Sequence, residues 1–403
     1  MMNCGIDIIE ISRIREAVEQ SDSFMGKVFS EKEIEYFRAN GQRFESLAGF
    51  FAAKEAFVKY KKTGIRGLGL SEISVEHEGL GAPYIVFRGR RQKVSLSISH
   101  GKTYAVAVVC GESDHMLPVC EEMRKLIPKR AEDANKGDCG RVLVIAGSQG
   151  MTGAACLATR GALRCGAGLV TVAVPRSERP IVAISVQEAM TVALDECDGM
   201  IIGSSMKKIL QFAKRAQAVV FGPGLGINGE MHHILRGILS EYEGTLIIDA
   251  DGLNALSKNC DILRERKCSV VITPHPGEMS RLVKKTVEEI QNNREVVAAE
   301  FAAKYGITVV LKGKNTVIAG GDEIKINTSG NCGMATGGTG DVLSGVVAAF
   351  VAQGLKPFDA AALGAYIHGK AGDIAARKIG VHGMLAGDLA ECLPLAIKSE
   401  LEG

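Results

Sequence analysis

The chain has 403 residues, 46% hydrophobic and 23% charged, with a formal net charge of +2. That length exceeds one average domain, so two are expected, and so small a charge gives no electrostatic reason to propose nucleic acid as a partner. Eleven cysteines show no C-x-x-C pair and no metal-ligand spacing to the eight histidines, which reads as reduced, small buried residues of a cytosolic protein. No apolar run approaches the roughly 18 residues of a membrane span. The start, Met1 to Asp7, lacks the basic stretch of a secretion signal, so the expectation is a cytoplasmic protein with no membrane partner.

In chain order, Gly5-Ile6-Asp7-Ile8-Ile9-Glu10-Ile11 reads as a strand that puts Asp7 on the face of Ile9 and Ile11. A carboxylate on that face needs a cation or a donor. Residues 46–60 read as a helix with Phe51, Glu55 and Lys59 on one face at i, i+4 spacing, and as a bare pair Glu55 and Lys59 would stabilise it by only a few tenths of a kcal/mol. His100 continues the register of Val94, Leu96 and Ile98, which leaves open a satisfied core histidine or a site residue. An apolar strand between Tyr104 and Cys110 closes the first domain, and Gly111-Glu112-Ser113-Asp114-His115 is the polar break that ends it. The division expected is a first domain over 1–112, a largely polar linker arm over 113–138, and a second domain over 139–403.

Gly5-Ile6-Asp7, Phe29-Ser30-Glu31-Lys32-Glu33, Leu47 to Ala56, Gly64-Ile65-Arg66-Gly67 and Ser97-Ile98-Ser99-His100 resemble holo-acyl-carrier-protein synthase over nearly the whole first domain. The resemblance implies a small α+β phosphopantetheinyl-transferase fold that trimerises with sites between subunits, hence a trimer-based homo-oligomer. It also implies transfer of the 4′-phosphopantetheine arm of coenzyme A to a serine of apo-acyl carrier protein. Asp7 and Glu55 would be Mg²⁺ ligands, with the metal bridging the CoA pyrophosphate, since Mg²⁺ prefers hard oxygens plus substrate phosphates. Glu55 and His100 are taken as catalytic, Lys54 and Lys59 as offsetting phosphate charge, and Arg43 as serving the nucleotide end. The family carries Arg where this chain has Phe50, which removes a cation from the binding of CoA or of the acidic carrier protein. The alternative is that this domain acts only as an oligomerisation module.

In the second domain, apolar strands at 142–146, 169–174, 218–221, 245–249, 270–273 and 308–312 alternate with helical stretches at 153–165, 232–241 and 287–305. Such alternation predicts an α/β fold, a mostly parallel sheet covered by helices on both faces, with ligands beyond the carboxyl ends of the strands. The runs Phe221 to Gly226, Asp249 to Asn254, Thr273 to Glu278 and Lys312 to Thr316 lie there. Asp249 and Asp251 read as bonding their own turn and stand outside the expected site. Gly147-x-x-Gly150-x-x-Gly153 lacks the dinucleotide spacing, and neither Gly313-Lys314 nor Gly340-Asp341 completes a P-loop. The most informative stretch is Asn327-Thr328-Ser329-Gly330-Asn331 leading into Gly337-Gly338-Thr339-Gly340-Asp341. Its glycines let backbone N–H groups turn toward an anion, and the apolar pattern after it reads as a helix ended by Gly354, whose positive end points to the same place. Asp341 either caps that helix or takes a proton from an attacking hydroxyl.

From about Met116 onward the chain resembles an ADP-dependent NAD(P)H-hydrate dehydratase of the ribokinase-like superfamily. The match runs through Gly147-Ser148, Gly153-Ala154, Gly222 to Gly226, His275 to Glu278, Lys312 to Thr316, Asn327 to Asn331 and Gly337 to Asp341. The resemblance implies repair of NADHX and NADPHX, the hydrated forms of the reduced nicotinamide cofactors: a nucleotide phosphorylates the ring hydroxyl, and phosphate then leaves. Asp341 would be the base, and the amides around Gly338, Thr339 and Gly340 would hold the transferring phosphoryl group. Ala154, Gly224 and His275 would line the hydrate pocket. Lys312, Gly313, Lys314, Asn315 and Thr316, with Gly340, would hold the nucleotide, with ADP rather than ATP inferred from the resemblance. The rival reading within the same fold is a kinase of a small alcohol.

Overall fold

A computed structural model describes residues 2–61, 69–79, 81–87, 89–92, 94–112 and 119–402. The run Gly64-Ile65-Arg66-Gly67 and residues 113–115 of the polar break lie outside these. The chain falls into two compact units, Met1–Pro118 and Val119–Gly403. Among the described residues no helix is long and apolar enough to cross a membrane.

The first unit is α+β. The strand Met2–Glu10 pairs antiparallel with Tyr104–Glu112, which pairs in turn with Ser95–His100. One helix, Phe44–Lys61, lies across this sheet. A Cβ on Gly5 would stand 2.0 Å from Ala56 O, so glycine is what lets strand and helix backbones meet. Leu47, Ala48, Ala52, Ala53, Ala56 and Phe57 of that helix are buried against Ala105, Ala107 and Val109. The strand expected to run through Ile11 ends at Glu10, and Ile11 opens the helix Ile11–Gln20 with its side chain buried.

The second unit is a doubly wound α/β fold. Its nine-stranded sheet runs, edge to edge, Glu323–Asn327, Thr316–Gly320, Thr308–Leu311, Ser269–Ile272, Thr245–Ile248, Ala218–Phe221, Arg141–Ile145, Leu169–Pro175 and Met190–Leu194. All neighbours are parallel except the pairs made by Thr316–Gly320. Side chains alternate between two cores: Val142, Val144, Val220 and Ile247 face one, Leu143, Ile145, Phe221 and Ile248 the other. That is the period-two pattern of a sheet covered on both faces. The helix expected over 287–305 is two, Val287–Asn292 and Arg294–Tyr305, separated at Asn293. Within the linker arm, Val119–Leu126 is a helix of this unit, tied down by Arg124 to Glu400 at 2.9 Å and by Lys325 to Glu122 at 2.8 Å.

The helix Thr339–Ala352 packs along Thr152–Arg164 through glycines. A Cβ on Gly345 would lie 1.9 Å from Ala158 O, and one on Gly161 2.4 Å from Val342 O. These two small residues set the depth at which the first turn of Thr339–Ala352 meets the ends of the strands.

Candidate functional site

Three neighbouring parallel strands end side by side, and each delivers a polar group to the same point. Thr245–Ile248 is followed by Asp249, Ser269–Ile272 by Thr273-Pro274-His275, and Thr308–Leu311 by Lys312. Lys312 Nζ donates to Asp249 Oδ1 at 2.8 Å and stands 3.8 Å from Glu278 Oε2. Burial alone would lower the Lys312 pKa, but the charges of Asp249, Glu278 and Asp341 outweigh it, so its pKa is raised and it stays an ammonium. Asp249 is 1% exposed, and its Oδ2 has no hydrogen-bond partner among the described residues. The residue after it, Ala250, sits at φ 47, ψ −119, a conformation costing about 1–3 kcal/mol. Asp249 is therefore no ordinary turn residue. The local-turn reading fits Asp251 only in part: it accepts from Asn254 Nδ2 within its own turn at 3.1 Å, but also from Gly226 N–H of a remote loop at 2.9 Å.

Opposite this pair the helix Thr339–Ala352 begins. Gly338 precedes it at φ 92, and no side chain caps it, so first-turn N–H groups are left open to an incoming acceptor. A Cβ on Gly340 would lie 3.0 Å from Lys312 Nζ and 3.9 Å from Asp249 Oδ2. The helix start, the ammonium and the orphaned carboxylate oxygen thus converge. Asp341 lies in this uncapped first turn, where its backbone carbonyl accepts from Ser344 Oγ at 2.7 Å while its carboxylate caps nothing. Burial, then the charge of Asp249, push its carboxyl up to about 7 against the opposing pull of Lys312, with Asp251 and Glu278 adding to the rise. A carboxylate poised there suits a general base at neutral pH. His368 Nε2 lies 2.8 Å from Thr339 O, and burial above all holds its pKa down to about 4. The ring is neutral and donates, fixing the first turn.

The amide nest is shorter than the sequence suggested. Gly330 N–H donates to Asp373 Oδ2 at 3.1 Å and Asn331 Nδ2 to Asp373 Oδ1 at 3.0 Å. Asn327 Oδ1 accepts from Ser329 N–H at 3.2 Å while its Nδ2 donates to Ala365 O at 3.0 Å. Residues 327–331 hold their loop to the helix Pro357–Ile379, and the open amides are those at the start of Thr339–Ala352. On the other flank, Gly224 at φ 60 would place a Cβ 2.9 Å from that of Ala154, so two small residues meet there. His275 caps the helix Pro276–Val283: its Nδ1 accepts from Gly277 N–H at 3.0 Å and Glu278 N–H at 3.3 Å, while Glu278 accepts from His275 N–H at 2.7 Å. In the loop of Lys312, Gly313, Lys314, Asn315 and Thr316, the Lys312 ammonium turns inward to the acids rather than outward, and Thr316 Oγ1 donates to Gly313 O at 3.0 Å.

In the first unit, Lys59 Nζ donates to Asp7 Oδ1 at 2.7 Å and to Ile6 O at 3.1 Å. Burial and then the charge of Asp7 raise the Glu55 pKa, with Lys59 opposing. Asp7, Glu55 and Lys59 are thus electrostatically coupled. Two carboxylates that repel each other, with an ammonium already bound to one, form a hard-oxygen set suited to Mg²⁺. No group of three or more His, Cys, Asp or Glu that could hold a metal exists among the described residues. Lys54 corrects the sequence reading. It is fully buried, paired to Glu33 at 2.7 Å, and donates to Val28 O at 2.8 Å and Leu70 O at 3.0 Å. All its N–H donors face the interior, which leaves none for a phosphate. Phe50 is buried in a ring cluster, 5.5 Å from Tyr36 and 5.9 Å from His77. His100 and Arg43 are exposed, which removes the core reading for His100.

Residues 142–395 match the family model of NAD(P)H-hydrate dehydratase. The chain belongs to that family. Its first unit carries a second match, residues 3–109, to the 4′-phosphopantetheinyl transferase superfamily. Among curated relatives of the dehydratase unit, a bifunctional NAD(P)H-hydrate repair enzyme of Moorella thermoacetica is 43% identical over 278 residues, 68% of this chain and 52% of that protein. An ADP-dependent (S)-NAD(P)H-hydrate dehydratase of Neisseria meningitidis is 37% identical over 295 residues, 71% of this chain and 95% of that protein. A crystal structure of an ADP/ATP-dependent NAD(P)H-hydrate dehydratase from Bacillus subtilis, obtained with ATP and Mg²⁺, superposes with a TM-score of 0.60 at 31% identity, covering 70% of this chain and 97% of that one. The chain spans about half the length of the bifunctional relatives.

Sequence reasoning set Asp249 aside as a turn residue, named Glu278 only within the run Thr273 to Glu278, and did not name His368. Asp249 carried one usable signal, a carboxylate at the carboxyl end of a fully apolar strand in a doubly wound sheet. His368 lies inside a long helix and carried none.

Proposed function

We propose that the second unit dehydrates NADHX and NADPHX to NADH and NADPH, using ADP as phosphoryl donor. Asp341 takes the proton of the ring hydroxyl, and the hydroxyl oxygen attacks the terminal phosphorus of the nucleotide. The nucleotide leaves with the bonding electrons, as AMP from ADP. Charge on the transferring group faces the open amides of Gly338, Thr339, Gly340 and Asp341. Phosphate then departs with the C–O electrons, and the neighbouring carbon gives up a proton to restore the double bond. The observation that carries this reading is Asp341: a carboxylate held near neutrality in the uncapped first turn of a helix, so that base and anion donors act at one point.

The first unit is read as a Mg²⁺-dependent phosphopantetheinyl transferase acting on apo-acyl carrier protein, with Asp7 and Glu55 holding the metal and Lys59 beside the CoA phosphates. When bound, Mg²⁺ supplies charge neutralisation of the pyrophosphate. The chain is proposed to work in the cytoplasm as a trimer-based homo-oligomer, with its domains at 1–112 and 139–403. The coupling of Asp7, Glu55 and Lys59 supports transfer, whereas Phe50 within its ring cluster favours the scaffold alternative.

For the dehydratase, NADH absorbance is followed with ADP or ATP while released phosphate is measured. Recovery of NADH with stoichiometric phosphate, lost in Asp341→Asn with nucleotide binding retained, is the expected result. A phosphorylated product that accumulates would establish the small-alcohol kinase instead. For the transferase, the intact mass of apo-acyl carrier protein after incubation with the chain, CoA and Mg²⁺ is compared with an Asp7→Ala control, and absence of any gain would leave the first unit a scaffold.

A further inference from the structure

The loop between Thr308–Leu311 and Thr316–Gly320 is shaped by a residue that plays no part in the reading above. Arg294 opens the helix Arg294–Tyr305, and its guanidinium reaches this loop. Nη2 donates to Leu311 O at 2.8 Å and Nη1 to Lys314 O. Gly313 O is taken by Thr316 Oγ1, so the carbonyls of Leu311, Gly313 and Lys314 are all engaged within the protein. Gly313 stands at φ +142 and Asn315 at φ 57. The N–H groups of Gly313, Lys314 and Asn315 donate to no group among the described residues. Carbonyls drawn to one side with unengaged amides and a left-handed residue make an anion-binding concavity.

Two further observations point to a ligand. Among the described residues Arg294 Nε is buried without a hydrogen-bond partner, and the guanidinium forms no ion pair with a carboxylate, its hydrogen bonds running to carbonyls. Arg294 as a whole is half-buried, so its charge is partly withdrawn from water with no carboxylate paired to it, an arrangement that an incoming anion would stabilise. In addition, a Cβ on Gly313 would lie 3.0 Å from Arg294 Nη2. The guanidinium thus packs against Gly313, whose φ of +142 itself favours glycine.

We propose that Arg294 is the positioning residue of the nucleotide site. It holds the carbonyls of Leu311 and Lys314 so that the amides of Gly313, Lys314 and Asn315 face a nucleoside diphosphate, and its own charge balances that ligand. The proposal rests on the reading of Lys312 to Thr316 as the nucleotide loop.

The test is calorimetric binding of ADP to the full chain, wild type against Arg294→Met and Arg294→Lys, with thermal unfolding of each and steady-state kinetics in both substrates. Loss of two charge-assisted hydrogen bonds predicts ADP affinity about 10- to 100-fold weaker in Arg294→Met. KM for the nucleotide should rise in step, with kcat and KM for the hydrate changed less than about twofold. Lysine keeps the charge but cannot bridge both carbonyls, so Arg294→Lys should lose at least about fivefold, and it carries the test should the methionine variant unfold. Unchanged ADP affinity in a folded variant would overturn the proposal, as would equal losses in kcat and both KM values, the mark of a merely structural arginine. A wild-type chain that binds no ADP would instead overturn the reading of the loop, and this proposal with it.

Discussion

If Asp341 is the base, the pH at which the dehydratase switches on is raised first by burial and then tuned by two charged neighbours, Asp249 and Lys312. Its carboxyl is raised to about 7 by burial and by Asp249, against Lys312. Because catalysis needs the carboxylate, kcat/KM for the hydrate should rise with pH through about 7. Asp249→Asn removes a negative charge at nearly constant shape and releases the Lys312 ammonium from its 2.8 Å partner. Both changes favour the ionised form of Asp341, so the rise moves to lower pH. Lys312→Met does the reverse, leaving the carboxylates to repel each other, and the rise moves to higher pH. Asp249 Oδ2 lies within 3.9 Å of a Cβ placed on the residue before Asp341. For a unit charge about 7 Å away at an effective dielectric near 20, the interaction is roughly 2.4 kcal/mol, or ~1.7 pKa units. Solvent in the open site reduces this, so displacements of about one unit in opposite directions are expected. The assay is NADH recovery at subsaturating hydrate and saturating nucleotide from pH 5 to 9. Two variants that stay folded and active with the rise unmoved, or moved in the same direction, would refute the assignment of Asp341 as the titrating base.

The same raised pKa makes Asp341 a liability to stability. The folded state holds its proton more tightly than the unfolded state, so the penalty is absent below the unfolded value near 4 and complete above about 7; Asp341→Asn should therefore be about 1–3 kcal/mol more stable than wild type at pH 8, a gain that fades toward pH 4 in denaturant titrations. Gly345→Ala drives a methyl into Ala158 O, 1.9 Å from the ideal position, and should cost about 3 kcal/mol or more; unfolding of the second unit at wild-type temperature would show that the two helices separate freely. Lys54→Met strands Glu33 in the core of the first unit and should cost about 3–5 kcal/mol, only partly restored by adding Glu33→Leu, because Glu33 also accepts from the N–H groups of Ser30 and Val75; calorimetry of the single and double variants checks this.

The glycine-rich run at 337–341 and the apolar strands were readable because each states its structure locally. A strand buried on both faces needs an unbroken apolar segment, and a left-handed residue before a helix favours glycine. What could not be read is a charge whose partner is remote. Lys312 and Asp249 are 63 positions apart, and nothing local distinguishes an aspartate that bonds within its own turn, as Asp251 does to Asn254, from one that grips a lysine on the next strand but one. Lys54 and Glu55 make the point within a single helix. Phe44–Lys61 is apolar nearly all round, so its periodicity does not say which face meets the sheet and which meets the helix Glu31–Ala39. Adjacent charges on such a helix point about 100° apart: Glu55 turns to Asp7 and Lys54 to Glu33. A family resemblance that gives both residues one electrostatic role cannot distinguish them, whereas the Glu33 carboxylate, which also accepts from Val75 N–H at 2.8 Å, holds Lys54 in the core and leaves Lys59 as the cation beside Asp7 and Glu55.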